Sequence, residues 1–197
     1  MPSLASEGIV QSRATRLIVL DRDGVINHDF GFVSRIADCR FIDGIFELAR
    51  AFAARGFIIA IVTNQSGIGR GYYSEADFLE LTGWMRSEFM RRGVEIAATY
   101  HCPDHPTHGI GRHRRETPWR KPGPGMFLQA AADLSLDLAR SWTIGDKQSD
   151  IAAGRAAGVG TLVLFDPATG ETRRDGDVWV VPNLGAATEL LHSTPAG

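Results

Sequence analysis

Cysteine is scarce: of 197 residues only Cys39 and Cys102 carry a thiol. Two thiols do not build the disulfide framework of a small secreted scaffold, and both are expected to be free in a reducing compartment. Long apolar runs are missing too, so no stretch reaches the roughly 18 residues that a membrane-crossing helix needs. Basic charge is not in excess either: 21 Lys and Arg stand against 23 Asp and Glu, a formal net charge of -2. That balance argues against a dedicated nucleic-acid binder and leaves room for a small anionic substrate held by local cations. The first sixteen residues, MPSLASEGIVQSRATR, lack the basic start and apolar core of a secretory signal. The expectation is a soluble, cytoplasmic protein with neither nucleic acid nor membrane as a partner.

What the chain does have is alternation. With 44% hydrophobic and 22% charged residues it can bury one sizeable core. Arg16–Leu20 (RLIVL), Phe57–Val62 (FIIAIV), Ile96–Tyr100 (IAATY), Trp142–Ile144 and Thr161–Phe165 (TLVLF) read as buried strands, and Val178–Val181 as an edge strand. Helical patterns fall between them at Ile45–Ala54, Gly125–Ala132, Ile151–Ala157 and Leu184–Leu191. Another spans Glu75–Arg92, with Ser74 as N-cap and Gly93 as the stop. Strand and helix in turn imply an α/β fold, a doubly wound, Rossmann-like parallel sheet. One domain is expected over residues 16–192, with a flexible segment at 1–15, a tail at 193–197 and no large cap domain. Phe78, Trp84, Met85, Phe89 and Met90 recur at helical spacing and read as core. His101–Pro118, rich in His, Pro, Gly and Arg, has no periodicity and reads as a functional loop beside the pocket.

In such sheets ligands bind beyond the carboxyl ends of the strands. Asp21 and Asp23 follow the first strand, Thr63-Asn64-Gln65-Ser66 the second, and Asp146-Lys147 the strand ending near Gly145, while Arg120-Lys121-Pro122 leads into a helix. Asp23-Gly24 alone suits a turn. Three acids, a hydroxyl and an ammonium converging on one sheet edge suit phosphate chemistry with a hard cation such as Mg²⁺. A carboxylate meeting a phosphate dianion at about 4 Å is repelled by roughly 8 kcal/mol at an effective dielectric near 20, which a divalent ion and Lys121 must offset. Asp21 then suits nucleophilic attack and Asp23, two residues on and on the same side, suits proton transfer. Arg22 should point elsewhere as a structural residue. Asp150 either caps its helix or orients Lys147 and the metal's waters. Gly67-Ile68-Gly69-Arg70-Gly71 misses the G-x-G-x-x-G spacing by one residue and reads as a flexible turn, with Arg70 a candidate contact for a second phosphate.

The ordered set DRDGV at Asp21, TNQSG at Thr63, RKP at Lys121 and GDKQSD at Asp146 resembles the haloacid dehalogenase superfamily of phosphohydrolases. Within it, HDFGFV, TNQSGIGRGYYSEADF, HCPDHP, RKPGPGM and GDKQSDIAAGRAAGVG are similar to the D-glycero-D-manno-heptose 1,7-bisphosphate phosphatase branch, a relative of histidinol-phosphate phosphatase. The resemblance implies Mg²⁺-dependent removal of a C7 phosphate through an aspartyl-phosphate, in making activated heptose for surface polysaccharide. It implies Asp21 as nucleophile and Asp23 as proton donor, with Thr63 and Lys121 stabilising the phosphoryl group. Asp21, Asp146 and the main chain near Asp23 hold the metal and Lys147 abuts it. Asp29–Phe32, Thr63, Asn64, Gln65, Ser66, Arg120 and Lys121 line the substrate pocket.

The family commonly carries a structural zinc on a Cys-x-His pair and a later Cys-x-Cys. Here Cys102 remains, while Asp104, Thr117 and Trp119 stand at the other three positions, so that zinc is expected to be absent. Phe30 and Phe32 stand where relatives often have His and Tyr. The readings carried forward are a heptose bisphosphatase, a phosphatase of another small ester such as histidinol phosphate, and a non-enzymatic binding protein. A small sugar phosphate is the expected partner and a monomer with an open cleft the expected form.

Overall fold

In a computed structural model, which describes residues 16–195, the first strand, β1 (Arg16–Leu20), is covered on both faces. Ile18 and Leu20 enter one apolar cluster and Leu17 and Val19 the other, so the continuous apolar run is that of a central parallel strand rather than a half-exposed one. Around it stand β2 (Phe57–Asn64), β3 (Ile96–Cys102), β4 (Asp137–Gly145), β5 (Thr161–Phe165), β6 (Arg173–Asp175) and β7 (Val178–Val181). The sheet order is β3-β2-β1-β4-β5-β7-β6, parallel except for the β6–β7 pair. Strand order therefore reverses between β1 and β4, and the crevice at that switch is where such sheets bind ligands.

Six helices flank the sheet: α1 (Ile45–Ala54), α2 (Ser66–Gly69), α3 (Glu75–Arg91), α4 (Gly125–Leu134), α5 (Gln148–Ala157) and α6 (Leu184–Ser193). The residues with apolar side chains at helical spacing in α1, Ile45, Leu48, Ala49 and Phe52, are all buried. Phe52 meets Phe57 and Trp142 edge-on at 5.0 and 5.4 Å, locking the helix onto β2 and β4. Helix α3 opens on a capping box, with Ser74 Oγ accepting from the Asp77 amide and Asp77 Oδ2 accepting from the Ser74 amide.

Several expectations shift at their edges. β4 begins at Asp137, ahead of Trp142: Asp137 pairs with Arg16 of β1 before a shift in register, and Asp137, Ala139 and Arg140 stay exposed, which hides this stretch from an apolar pattern. β7 is not the edge: the wholly exposed RRD of β6 lies outside it, without the apolar content that marks a strand. Of the segment expected as a flexible turn, residues 67–69 fall in α2, while Arg70 and Gly71 form the turn that follows it. Met90 is 57% exposed, since its neighbour Phe89 takes the buried face and successive helical residues diverge by about 100°. The expected segment 1–15 and the last two residues of the expected tail lie outside the described residues. Phe52→Ala should lower the unfolding free energy by about 3–5 kcal/mol, read as a lower urea midpoint at unchanged slope.

Candidate active site

Register brings the site together. Leu20 pairs with Ile61 on one side and Ile144 on the other, so Asp21, Thr63 and Asp146 emerge at the same sheet edge. The Asp21 amide donates to the Ile144 carbonyl at 3.1 Å, tying the first strand's end to the fourth. Lys121 arrives from the segment before α4, its backbone held by Asn64 through both amide hydrogen bonds, at 3.0 and 3.1 Å. Its Nζ meets Asp21 Oδ1 at 2.8 Å, Asp150 Oδ1 at 2.6 Å and the Val62 carbonyl at 2.8 Å. All three side chains are buried. Burial pulls the Lys121 ammonium down, but the two carboxylates outweigh it and hold its pKa above the ordinary value. Asp21 is raised, because burial together with Asp150 exceeds the pull of Lys121. Asp150 thus serves as Lys121's partner and as helix cap, accepting from the Lys147 amide at 3.0 Å.

Arg22 does not point away from the chemistry. It is 1% exposed, and its guanidinium grips the Asp23 carboxylate through Nε at 3.1 Å and Nη2 at 2.8 and 2.9 Å, while Nη2 also donates to the Val33 carbonyl. Asn27 adds a donor at 3.0 Å and Gln65 one at 2.8 Å. The same Gln65 amide donates to Thr63 Oγ1 at 2.9 Å, and Tyr73 donates to its Oε1 at 2.5 Å. Gln65 therefore links the proton-transfer candidate to the phosphoryl-binding hydroxyl. Tyr73, raised to about 12 by burial, completes the network. No sequence motif pointed to it, since the contact spans from the start of α2 to the turn before α3.

Asp146 carries an unsatisfied buried oxygen, Oδ1, and a pKa raised to about 7, chiefly by burial and then by Asp21. Asp21, Asp146 and Asp150 offer carboxylate oxygens within 4.8 Å of one another. Hard oxygen donors, excess buried negative charge and an orphan acceptor fit a magnesium ion. Gly24, at φ 98°, makes space for this: a Cβ there would lie 2.1 Å from Asp146 Oδ2. Two of the residues named with the metal have side chains engaged elsewhere. The Asp23 carboxylate is turned into the Arg22, Asn27 and Gln65 donors, leaving only its main chain for that purpose. Lys147 Nζ sits 3.0 Å from Asp29 and 3.6 Å from Asp146, and these acids keep its pKa raised against its burial. A protonated amine has no lone pair for a cation, so Lys147 borders the centre without ligating it.

The residues implied for a structural zinc do not fit one. Cys102 is a buried free thiol, but Asp104 is already bonded to His113 Nδ1 and Arg115 Nε, each at 2.7 Å, and Trp119 donates its indole N–H to the His101 carbonyl at 2.8 Å. His105 Nδ1 accepts from the Thr107 and His108 amides at 3.2 and 3.1 Å, and His101 faces Glu75. Among the described residues, three convergent ligand side chains occur at the Asp21, Asp146 and Asp150 group.

Above the acids lies a cavity of ≈ 520 Å³. Asp29, Phe32, Thr63, Asn64, Gln65, Ser66, Arg120, Lys121 and Lys147, all named from sequence, line it, as do Asp21 and Asp23. Gly67, Tyr73 and Ser149, none of them assigned to the pocket from sequence, join them. Phe30 instead lies outside, 66% exposed. A doubly wound sheet with paired aspartates, a hydroxyl, a buried lysine and a further acid at its switch point defines a phosphohydrolase of the haloacid dehalogenase class.

The comparisons agree. Residues 118–187 match the HAD-hydrolase-like family model. The D-glycero-alpha-D-manno-heptose-1,7-bisphosphate 7-phosphatase of Burkholderia mallei is 56% identical over 150 residues, covering 76% of this chain and 79% of that protein. The beta-anomer counterpart of Vibrio cholerae is 50% identical over 147 residues, covering 75% and 79%. Among solved structures, the D,D-heptose 1,7-bisphosphate phosphatase from B. bronchiseptica, complexed with magnesium and phosphate, superposes with a TM-score of 0.75 at 27% identity, covering 90% of this chain and 98% of that one. The chain belongs to the D-glycero-D-manno-heptose-1,7-bisphosphate 7-phosphatase family of HAD-like hydrolases, and it is a phosphatase.

Gly24→Ala should push Asp146 from its place and strain the backbone, lowering phosphate release at least about 10-fold with the circular dichroism spectrum retained. Loss of less than half the activity would show that Asp146 is free to move.

Proposed function

We propose that this phosphatase hydrolyses the C7 phosphate of a D-glycero-D-manno-heptose 1,7-bisphosphate through an aspartyl-phosphate on Asp21. The observation that carries the substrate assignment is a pair of guanidiniums, Arg120 in the cavity lining and Arg70 beside it over Phe32. Arg120 lines the cavity, and burial and Arg70 both pull its pKa down. Arg70 Nε is buried without a hydrogen-bond partner, and its guanidinium lies 5.3 Å over the ring of Phe32, itself a lining residue. Two guanidiniums above a phosphate-processing floor suit a substrate with a second phosphate. Neither guanidinium offers an acceptor to the ammonium of histidinol phosphate, which favours the bisphosphate over that reading.

Asp21 Oδ2, bonded by no described residue, attacks phosphorus while the bond to the sugar oxygen breaks. Asp23, turning from the Arg22, Asn27 and Gln65 donors, passes a proton to that oxygen, so the leaving group departs as an alcohol. Lys121 and the Thr63 hydroxyl hold the phosphoryl oxygens as their charge redistributes. Water then loses a proton to Asp23 and attacks the same phosphorus, breaking the bond to Asp21 and releasing inorganic phosphate. Asp21 and Asp146 would hold Mg²⁺, with Asp150 beside them; when bound, it offsets the repulsion between carboxylate and phosphate.

Asp21→Asn should lower phosphate release by at least about 1000-fold, because an amide is no nucleophile for this step. For the substrate, kcat/KM for both anomers of the heptose bisphosphate should exceed that for histidinol phosphate by at least about 100-fold. Equal or reversed preference would overturn the assignment while leaving the mechanism standing.

A further inference from the structure

The buried acids of the described residues are Asp21, Asp150 and Asp104, and the chemistry above uses only the first two. Asp104 lies in the irregular loop after β3, where every oxygen it has is engaged. Oδ1 takes the His113 Nδ1 proton and Oδ2 the Arg115 Nε proton, each at 2.7 Å, and its carbonyl accepts from Arg120 Nη1 at 3.1 Å. His113 Nε2 accepts from Arg112 Nε at 3.2 Å, which fixes the tautomer that donates to Asp104. The loop is closed by the His105 amide on the His113 carbonyl at 3.0 Å. It is also seated on the turn that carries Arg70. The Ile110 amide donates to the Gly69 carbonyl at 2.8 Å, and a Cβ on Gly69 would meet the Pro103 carbonyl at 2.2 Å and His113 Cβ at 2.9 Å. One rim cation is thus bonded to the clamp's own backbone, and the residue preceding the other is packed under it.

We propose that Asp104, gripped by His113 and Arg115, is a positioning residue that sets Arg120 and the Gly69–Arg70 corner for the second phosphate of the substrate. The inference rests on the reading of Arg70 and Arg120 as that phosphate's contacts. A guanidinium and an imidazole supply here the charge neutralisation and fixed geometry that a metal ion supplies to a thiolate cluster. Burial alone would raise the Asp104 pKa, but the His113 and Arg115 hydrogen bonds prevail and hold it below its ordinary value. The carboxylate stays ionised, and removing Arg115 or His113 leaves a buried carboxylate oxygen without its partner.

The test compares the Mg²⁺-loaded wild type with Asp104→Asn, Arg115→Gln, Arg70→Gln and Arg120→Gln on heptose 1,7-bisphosphate and on heptose 7-phosphate, which lacks the second phosphate. Asp104→Asn should raise KM for the bisphosphate about 10-fold, with kcat and the KM for the monophosphate changed less than about 3-fold. Arg115→Gln, altering a side chain 65% exposed, should follow in the same direction and stands in if Asp104→Asn does not fold. Selective loss in Arg70→Gln and Arg120→Gln without it in either clamp variant would overturn the proposal and keep the bisphosphate reading. No selective loss in the arginine variants would overturn both. Equal losses on the two substrates in the clamp variants would reduce Asp104 to a stability role and overturn it as well. Metal analysis of the purified protein should find no stoichiometric zinc; a zinc ion lost together with Asp104 would also defeat the clamp.

Discussion

Everything at this site depends on one buried ammonium. Lys121 stands between Asp21 and Asp150 with almost no solvent to screen any of the three. In that setting a lone carboxylate is costly and a paired one is tolerable, so the lysine determines which acids can be present at all. Its single charge cannot balance three carboxylates once Asp146 is added. Burial first and then Asp21 raise the Asp146 pKa, Lys147 at 3.6 Å offsets this only in part, and Oδ1 is left as an acceptor that a divalent cation would satisfy.

The surroundings are shaped to keep these groups close. Gly24 and Gly145 occupy positions where a Cβ would collide with the side chains of Asp146 and Asp150 respectively, at 2.1 and 2.2 Å. Asn64 pins the backbone of Lys121 with a two-way amide contact, so the lysine enters from the right direction without depending on its long, flexible stem. Arg22 does for Asp23 what Asn64 does for Lys121. Nearest neighbours in sequence, Arg22 and Asp23 form a two-pronged ion pair whose other end is anchored on the Val33 carbonyl, just beyond the substrate loop at Asp29–Phe32.

Substrate choice and chemistry are held by different parts of the molecule. Asp21, Asp23 and Asp146 follow strand ends and Asp150 lies in the first turn of α5, positions fixed by the register of the sheet, and Lys121 is pinned by Asn64 at the end of β2. Arg70 and Arg120 rest on the turn after α2 and on the segment before α4, joined by the loop around Asp104. No helix among the described residues is long and apolar enough to cross a membrane. A phosphatase of this fold can vary this loop without disturbing the sheet edge below it.

The sequence by itself determined the sheet, the order of its reacting residues and the class of reaction, because apolar runs ending in acids, hydroxyl and lysine are local patterns that strand geometry carries to one edge. Asp21, Thr63, Lys121 and Asp146 were legible for that reason, and so were most cavity-lining residues. Sequence did not reveal that Arg22 clasps Asp23, that Gln65 and Tyr73 bridge to Thr63, that Asp150 pairs with Lys121, or that β6 borders the sheet. Each depends on a rotamer or on a contact between segments far apart in the chain, or lacks the apolar periodicity that marks an element. The loop after β3 is the sharpest case. The family resemblance indicated only which zinc ligands were missing, whereas the fold decided that a buried carboxylate, an imidazole and a guanidinium meet there, since only tertiary packing brings residues 104, 113 and 115 together around one buried carboxylate.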